Sequence, residues 1–412
     1  MKEKRKISLP AWILISMFAG IAVGFIFLKT GGTFTTDFLK PIGTIYINLL
    51  KFMVVPVVLF SITAGVISLN DLKRVGSVGI KTFVYFMITT ALAVVIGLVV
   101  VNCFKGLFPV LDSSVTSGLE YTANEAPKVM DVIVGIFPDN FLKPMVETTM
   151  LPVIVISIFL GAGILAAGSK GKLIADIFES ANEVIMKILT MIISVTPIGV
   201  FCLMADVVAV NGAKIVGSLA IIIGVAYIAY IIQLLLVYGL SVKLLAGMSP
   251  RKFFRDLAPA MLTAFTTTSS NAALPLSLEC CNYMGGEPEV NSFVLPLGAT
   301  INMDGTAIYQ AVAAVFIACC YGVDLTVAQM GMIVLTATLA SVGTAGVSGA
   351  GMIMLSMVLV QVGLPVEGIA LIAGVDKLFD MGRTCLNITG DATCAIWLSK
   401  VERNKKLKAA NE

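Results

Sequence analysis

Residues 376–391 read Asp-Lys-Leu-Phe-Asp-Met-Gly-Arg-Thr-Cys-Leu-Asn-Ile-Thr-Gly-Asp, which sets three carboxylates, an arginine and an asparagine into a stretch otherwise apolar enough to lie within a membrane. Ionised groups at that depth are expensive and mark a ligand or ion path. At about 100° per residue, Asp376, Asp380, Arg383, Asn387 and Asp391 fall at about 0, 40, −20, 20 and 60°, one narrow stripe of a helix. Lys377 lies off that stripe, nearer its edge. A stripe bearing both signs of charge can hold a zwitterion and a cation side by side; a buried structural ion-pair network would draw on the same residues. Arg383 offers a planar fork suited to a carboxylate and Asp380 an acceptor for an ammonium, and together they describe an amino acid with an acidic side chain. Asp376, one turn before Asp380, is placed to orient the guanidinium rather than to touch a ligand.

A second constellation lies at residues 298–306, Gly-Ala-Thr-Ile-Asn-Met-Asp-Gly-Thr. Asn, Asp and Gly are poor helix residues, and their grouping predicts an unwound turn with inward carbonyls around Asn302 and Asp304. Such a turn with a carboxylate suits a hard monovalent cation, which takes oxygen ligands only. Asp391 beside Asn387 supplies a second cluster of that kind. Two further stretches, Thr266–Asn271 and Gly343–Gly351, are rich in Ser/Thr and in Gly, and offer hydroxyls and backbone N–H groups to carboxylate oxygens.

These groups need elements to hold them. Apolar blocks of spanning length, each needing roughly 20 residues, occur near 8–28, 43–69, 79–104, 131–167, 180–210 and 215–245. Beyond residue 250 apolar runs continue, but polar and helix-breaking residues interrupt each near its middle. The interrupted stretches 256–284 and 329–364 are predicted to be re-entrant helical hairpins, because bare backbone at membrane depth is tolerated only beside protein or a polar cavity. Hairpin one follows the basic cluster Arg251, Lys252 and Arg255, and hairpin two begins near the segment around Asp324 expected to be external, so the two are expected to enter from opposite faces. Each pairs with a helix, 291–320 or 366–400, giving inverted repeats. The expected fold is all-α: a polytopic membrane protein with eight transmembrane helices and two re-entrant hairpins.

Composition agrees with that class. Of 412 residues, 58% are hydrophobic and 13% charged, and the net charge is only +3. Nucleic-acid binding has no support; the basic residues sit in short clusters at 2–6, 73–81, 170–172, 243–255 and 400–408, which places both termini in the cytoplasm. The polar segment 106–130 then becomes an external loop. The absence of histidine removes most metalloenzyme readings, and any proton coupling would run through carboxylates. The eight cysteines lack the spacing of a disulfide framework or a zinc site. The N-terminal Met-Lys-Glu-Lys-Arg-Lys leads straight into a long first span, which is expected to stay as an anchor.

Asn302-Met303-Asp304-Gly305-Thr306, the hairpin tips, and Asp380-Met381-Gly382-Arg383-Thr384 continuing to Asn387-Ile388-Thr389-Gly390-Asp391 together resemble the dicarboxylate/amino acid:cation symporters, the glutamate transporter homologues. The resemblance covers essentially the whole chain. It implies a homotrimer in which a static scaffold, formed by parts about 8–70 and 131–210, supports a mobile transport domain of parts about 79–104 and 215–400 that moves as an elevator. It further implies that Arg383 holds the substrate's side-chain carboxylate and Asp380 its amino group, with Thr306, Thr384, Asn387, Ser270, Val347 and Gly351 completing the shell. For Na+ it implies one site at Gly298, Asn302, Asn387 and Asp391, another at Thr89, Thr90, Asn302 and Asp304, and a third using backbone at Thr300, Ser341, Val342 and Thr344. The chain departs from the pattern at both tips, with Asn271 in a run of serines and Ser348 where proline is common.

The sequence therefore reads as a sodium-coupled symporter of L-aspartate or L-glutamate in a cytoplasmic membrane. Proton coupling, a neutral amino acid or a C4-dicarboxylate are the alternatives within transport; a dicarboxylate without an amino group ranks lower, since it would leave Asp380 facing another carboxylate. An intramembrane enzyme would need a nucleophile beside a base, and none is evident. A channel would favour a continuous polar lining over paired hairpins.

Overall fold

The computed structural model describes residues 9–30, 33–74, 77–110, 134–135, 137–147, 149–341 and 350–411. Within them the chain is helical. The first elements are α1 (Leu9–Thr30), α2 (Lys40–Arg74) and α3 (Ser77–Phe104). There follow α4 (Met150–Ala166), α5 (Lys172–Ser194), α6 (Thr196–Asn211) and α7 (Ala213–Ile232), the last continued by π-type turns toward Ala246. Five described helices are long and apolar enough to cross a membrane, or six if α5 and α6, bent by 48°, form one span. The bend falls at Val195, just before Pro197, whose ring cannot sit in a continuous helix without displacing the preceding turn.

The block predicted at 131–167 is a regular helix only from Met150. Ahead of it, Pro138 and Pro144 interrupt the run, and the Asn140 side chain accepts from the backbone N–H groups of Leu142 (2.8 Å) and Lys143 (3.0 Å), starting the four-residue helix Lys143–Val146. Residues 131–133, and most of the segment predicted as an external loop, lie outside the described residues.

Beyond residue 250 the first predicted hairpin break and the predicted unwound turn are present. Helices α8 (Pro250–Thr267) and α9 (Ser270–Tyr283) pack against each other as hairpin one, broken at Thr268 and Ser269. Thr268 closes α8 in the left-handed region (φ 53°), the one non-glycine residue with positive φ among those described, and Ser269 caps α9 by accepting from Ala272 N–H at 3.3 Å. The pair α10 (Pro288–Ile301) and α11 (Asp304–Cys320) is unwound at Asn302 and Met303. Helices α12 (Val327–Ser341) and α13 (Ala350–Gln361) flank the second predicted tip. The tip itself, with Val342, Thr344, Val347 and Ser348, lies outside the described residues. The last helix, α14, runs from Asp376 to Asn411.

Two hydrophobic cores flank the unwound turn. The larger joins α1–α7 to α11–α13, and the smaller gathers hairpin one, α10 and the C-terminal half of α14 around Phe253, Leu257 and Val294. Almost every residue of α11 is buried, so the helix that leaves the unwound turn runs through the centre of the molecule. By contrast Phe18, Phe52 and Phe159 on α1, α2 and α4 are 65%, 64% and 66% exposed, an outward apolar face that water would penalise and lipid would not. All eight cysteines are unpaired, and Cys202, Cys280, Cys281, Cys320 and Cys394 are buried.

Candidate functional site

The α14 stripe forms as the spacing predicts. Asp376, Asp380, Arg383, Asn387 and Asp391 are all buried, on a helix that packs against α8, α10 and α11. Arg383 donates from Nε to Asp380 Oδ1 at 2.8 Å and from Nη1 to Asp376 Oδ1 at 3.3 Å, while its guanidinium carbon lies 4.9 Å from the centre of the Tyr309 ring. Tyr309 is itself buttressed by Phe379, ring centres 5.1 Å apart. The fork is thereby fixed from three sides before any ligand arrives. Gly351, at the start of α13, approaches so closely that any side chain there would overlap the Arg383 guanidinium, which makes glycine the only fit at that point.

Lys377, which spacing alone placed at the edge of the stripe, is 4% exposed and belongs to the cluster. Its Nζ donates to Thr268 Oγ1 at the hairpin-one tip and lies 3.3 Å from Asp380 Oδ2. Thr384 Oγ1 lies 3.5 Å from Asp380 Oδ1, and Ser270 and Thr306 are buried nearby in sequence to the two breaks they follow. Asp376 and Lys377 also line a small cavity of about 10 Å3 that reaches Ile13, Ile193 and Thr196. That is room for a single water and not for a substrate.

The second constellation centres on the unwound turn. Asn302 donates from Nδ2 to Asp391 Oδ1 at 2.8 Å and to the Asn387 carbonyl at 3.0 Å, while its own Oδ1 is buried with no partner among the described residues. Gly298 lies against Asp391 closely enough that an added methyl would meet the carboxylate. The Asn387 side-chain oxygen accepts from Gly305 N–H at 2.8 Å, which ties the start of α11 to α14. Asp304 accepts from Thr90 Oγ1 at 2.6 Å on one oxygen, and from Gln233 Nε2 at 3.1 Å and the Tyr238 hydroxyl at 2.6 Å on the other. Gln233 also donates to the Thr89 carbonyl at 3.2 Å, so Thr89 and Thr90 of α3 both join this group. Asp304 and Asp391 thus receive hydrogen bonds from neutral groups, and among the described residues neither forms an ion pair.

Of the third group, Thr300 is exposed with its Oγ1 turned to the Leu297 carbonyl at 2.8 Å, and Ser341 is buried with its Oγ on the Thr338 carbonyl at 2.7 Å. Gln233, Tyr238 and Tyr309 went unnoticed in the sequence. Gln233 carried a signal, since it is the one amide in the apolar run 215–245.

Chemically, one end of the site presents a guanidinium, an ammonium and two carboxylates, and the other presents two carboxylates, an orphaned amide oxygen and backbone carbonyls. The first can exchange internal ion pairs for a charged organic ligand. The second fits hard cations.

A model of the family described as "Sodium:dicarboxylate symporter family" matches residues 9–401. The chain is 35% identical to the "Proton/sodium-glutamate symport protein" of Geobacillus stearothermophilus, over 97% of this chain and 95% of that protein. It is 34% identical to the "Proton/glutamate-aspartate symporter" of Escherichia coli (strain K12), over 99% and 97%. It is also 33% identical to the "C4-dicarboxylate transport protein" of Bacillus subtilis (strain 168), over 96% and 94%.

Proposed function

The chain belongs to the sodium:dicarboxylate symporter family, and from that premise we propose that it is a secondary active symporter of L-aspartate or L-glutamate, driven by Na+. The observation that carries this reading is the pair of buried carboxylates, Asp304 and Asp391, that have no cationic partner among the described residues and stand beside a stripe able to bind an acidic ligand. A buried carboxylate with neutral donors alone leaves its charge uncompensated, and a co-transported cation supplies the balance.

In this reading Arg383 takes the substrate's side-chain carboxylate and Asp380 its ammonium, with Thr384, Asn387, Thr306, Ser270, Val347 and Gly351 around the remainder. Na+ is cargo at Gly298, Asn302, Asn387 and Asp391 and at Thr89, Thr90, Asn302 and Asp304, and a third ion uses the backbone of Thr300, Ser341, Val342 and Thr344. Asn387 serves both ends, one turn from Asp391, so ordering one site preorganises the other and substrate and sodium bind cooperatively. Eight transmembrane helices and two re-entrant hairpins, arranged as inverted repeats, form a scaffold (about 8–70 and 131–210) and a transport domain (about 79–104 and 215–400) that works as an elevator in a homotrimer. The protein sits in the cytoplasmic membrane with both termini inside. The exposed apolar faces of α1, α2 and α4 support contact with lipid or a neighbouring subunit. It is a transporter and not an enzyme.

Uptake by proteoliposomes under an imposed sodium gradient tests the reading. Concentrative, unmodified accumulation of labelled aspartate or glutamate is the expected result. Uptake that follows an imposed proton gradient and ignores sodium would replace Na+ by H+ at the same carboxylates. Equilibration without accumulation would make the protein a channel.

A further inference from the structure

Helix α8 carries two apolar faces, and its neighbours in the fold bury only one of them. Phe253, Leu257, Ala260 and Ala264 are buried where α8 packs against α9 and α14. At about 100° per residue, Phe254, Ala258, Met261, Leu262 and Phe265 fall within an arc of about 100° on the other side. They line an open groove of about 400 Å3, completed by the π-type turns that follow α7 and by Cys385 of α14, with no charged or hydroxyl side chain among its lining residues. Leu262 and, on the facing turns, Leu235 are 65% and 58% exposed. From Phe254 to Phe265 the groove follows α8 for about 17 Å, close to the roughly 15 Å that one leaflet contributes to a bilayer's hydrocarbon core. A partner helix about 10 Å across would need about three times that volume over the same length, whereas a single acyl chain is slender enough to lie in it.

One end of the groove is cationic. Arg251 continues the α8 stripe one turn beyond Phe254, and Lys252 follows it at the start of the helix. The chain enters α8 through a tight turn at Gly247 (φ 68°), with Lys243 just before it, and Lys400 of α14 closes on that turn, where a Cβ added to Gly247 would lie 2.7 Å from its Nζ. Arg255 is paired with Asp256 at 2.9 Å. Lys243, Arg251, Lys252 and Lys400 are exposed, and none of the four forms an ion pair among the described residues. The opposite end, at Phe265, stops one turn short of the hairpin-one break at Thr268.

We infer that this groove and its cationic end form a binding site for one anionic phospholipid, with an acyl chain along α8 and the headgroup phosphate among Lys243, Arg251, Lys252 and Lys400. Apolar length, bore and charge are matched in one direction only, from the basic end inward, as they are in a lipid of a single leaflet. Unpaired cations beside the hydrocarbon boundary select an anionic headgroup over a zwitterionic one. The bound chain covers the outer face of hairpin one up to its break. The site requires that the chain lie in a membrane and is independent of which substrate and ion it moves.

Native mass spectrometry of the purified protein, titrated in detergent with dioleoyl phosphatidylglycerol or dioleoyl phosphatidylcholine, tests it. The first phosphatidylglycerol should bind at least about tenfold more tightly than phosphatidylcholine. Lys243→Gln, Arg251→Gln, Lys252→Gln and Lys400→Gln combined should bring the two lipids within about threefold of each other, with the melting temperature in plain detergent unchanged because all four side chains are exposed. Dihexanoyl phosphatidylglycerol, which keeps the headgroup but cannot follow the groove, should bind the unaltered protein at least about tenfold more weakly than the dioleoyl form. Ala258→Trp, which fills the groove and leaves the cations in place, should weaken dioleoyl phosphatidylglycerol at least about fivefold. Equal binding of the two headgroups by the unaltered protein overturns the inference, and so does a preference that survives the glutamine substitutions. Short chains that bind as tightly as long ones, or undiminished binding in Ala258→Trp, would reduce the site to a surface charge with no part for the groove and overturn it as well.

Discussion

At the start of α14, Asp376 and Asp380 face Lys377 and Arg383, whereas about three turns further on Asp391, with Asp304 across the unwound turn, faces neutral donors. The first cluster carries its own counter-charges, so its folded state is electrically complete and a ligand must exchange partners with it. The second is incomplete. Three hydrogen bonds to Asp304, each worth about 1.5–3 kcal/mol to a charged group, offset much of a desolvation penalty of several kcal/mol; the single bond to Asp391 does not. On the proposed reading, the contrast assigns the organic anion to the compensated end and the inorganic cation to the uncompensated one. Asn302 and Asn387, which touch across the turn, couple the two.

The largest effect is expected at the uncompensated end. Asp304→Asn and Asp391→Asn keep shape and lose charge, and a dehydrated cation deprived of its counter-charge is weakened by several kcal/mol, more than about hundredfold. Uptake should fall to background while the protein still reaches the membrane in normal amount; normal sodium-driven uptake by either variant would erase the distinction between the two ends.

Arg383→Cys or Arg383→Thr tests the compensated end. Loss of a charge-assisted pair of about 2–5 kcal/mol should weaken aspartate or glutamate at least tenfold, with serine suffering far less, in competition assays at fixed sodium. Equal weakening of both ligands would make Arg383 a structural partner of Asp376 and Asp380 and nothing more.

Tyr238→Phe sharpens the comparison by removing one of the three donors to Asp304. At about 1–3 kcal/mol for a lost buried partner, the sodium concentration for half-maximal uptake should rise about five- to tenfold or more, with substrate affinity at saturating sodium preserved. A change in substrate affinity instead would tie Tyr238 to the other end.

The smallest effect belongs to a group outside both clusters. Arg403 and Lys406 hold the Glu287 carboxyl below its ordinary value, so the contribution of this contact is present above the ordinary carboxylate pKa and is lost as pH falls through the lowered one. These side chains are largely exposed at the end of α14, and solvent screens them. Glu287→Gln should leave transport unchanged and thermal stability near neutral pH barely altered.

Much of this site is legible from residue types alone. Charged residues at helical spacing in an apolar run could only share a face of α14, and the grouping of Asn302, Asp304 and Gly305 predicts the unwound turn that separates α10 from α11. Lys377 was misjudged because its backbone position is about 100° from that of Asp376. Its four-methylene stem lets the ammonium return to Asp380, one turn on, a reach that a periodicity argument ignores. Gln233 and Tyr238 would lie about 140° apart on an α-helix, and the π-type turns of Gln233–Tyr238, bonded i to i+5, bring residues five apart toward one face. Tyr309 reads as one more apolar residue of α11, and only the fold reveals that Arg383 stacks on it. The fourth apolar block looked like a span throughout its length because hydropathy does not register where proline stops a helix.

The claim that Asp304 and Asp391 serve a cation, while the Arg383 cluster serves an acidic ligand, is met most directly by calorimetric titration of L-aspartate into purified protein across a series of sodium concentrations at several pH values. The account predicts that affinity rises steeply with sodium, by more than tenfold for each tenfold increase below saturation, and is insensitive to pH near neutrality. Affinity that ignores sodium and strengthens with acidity would contradict it.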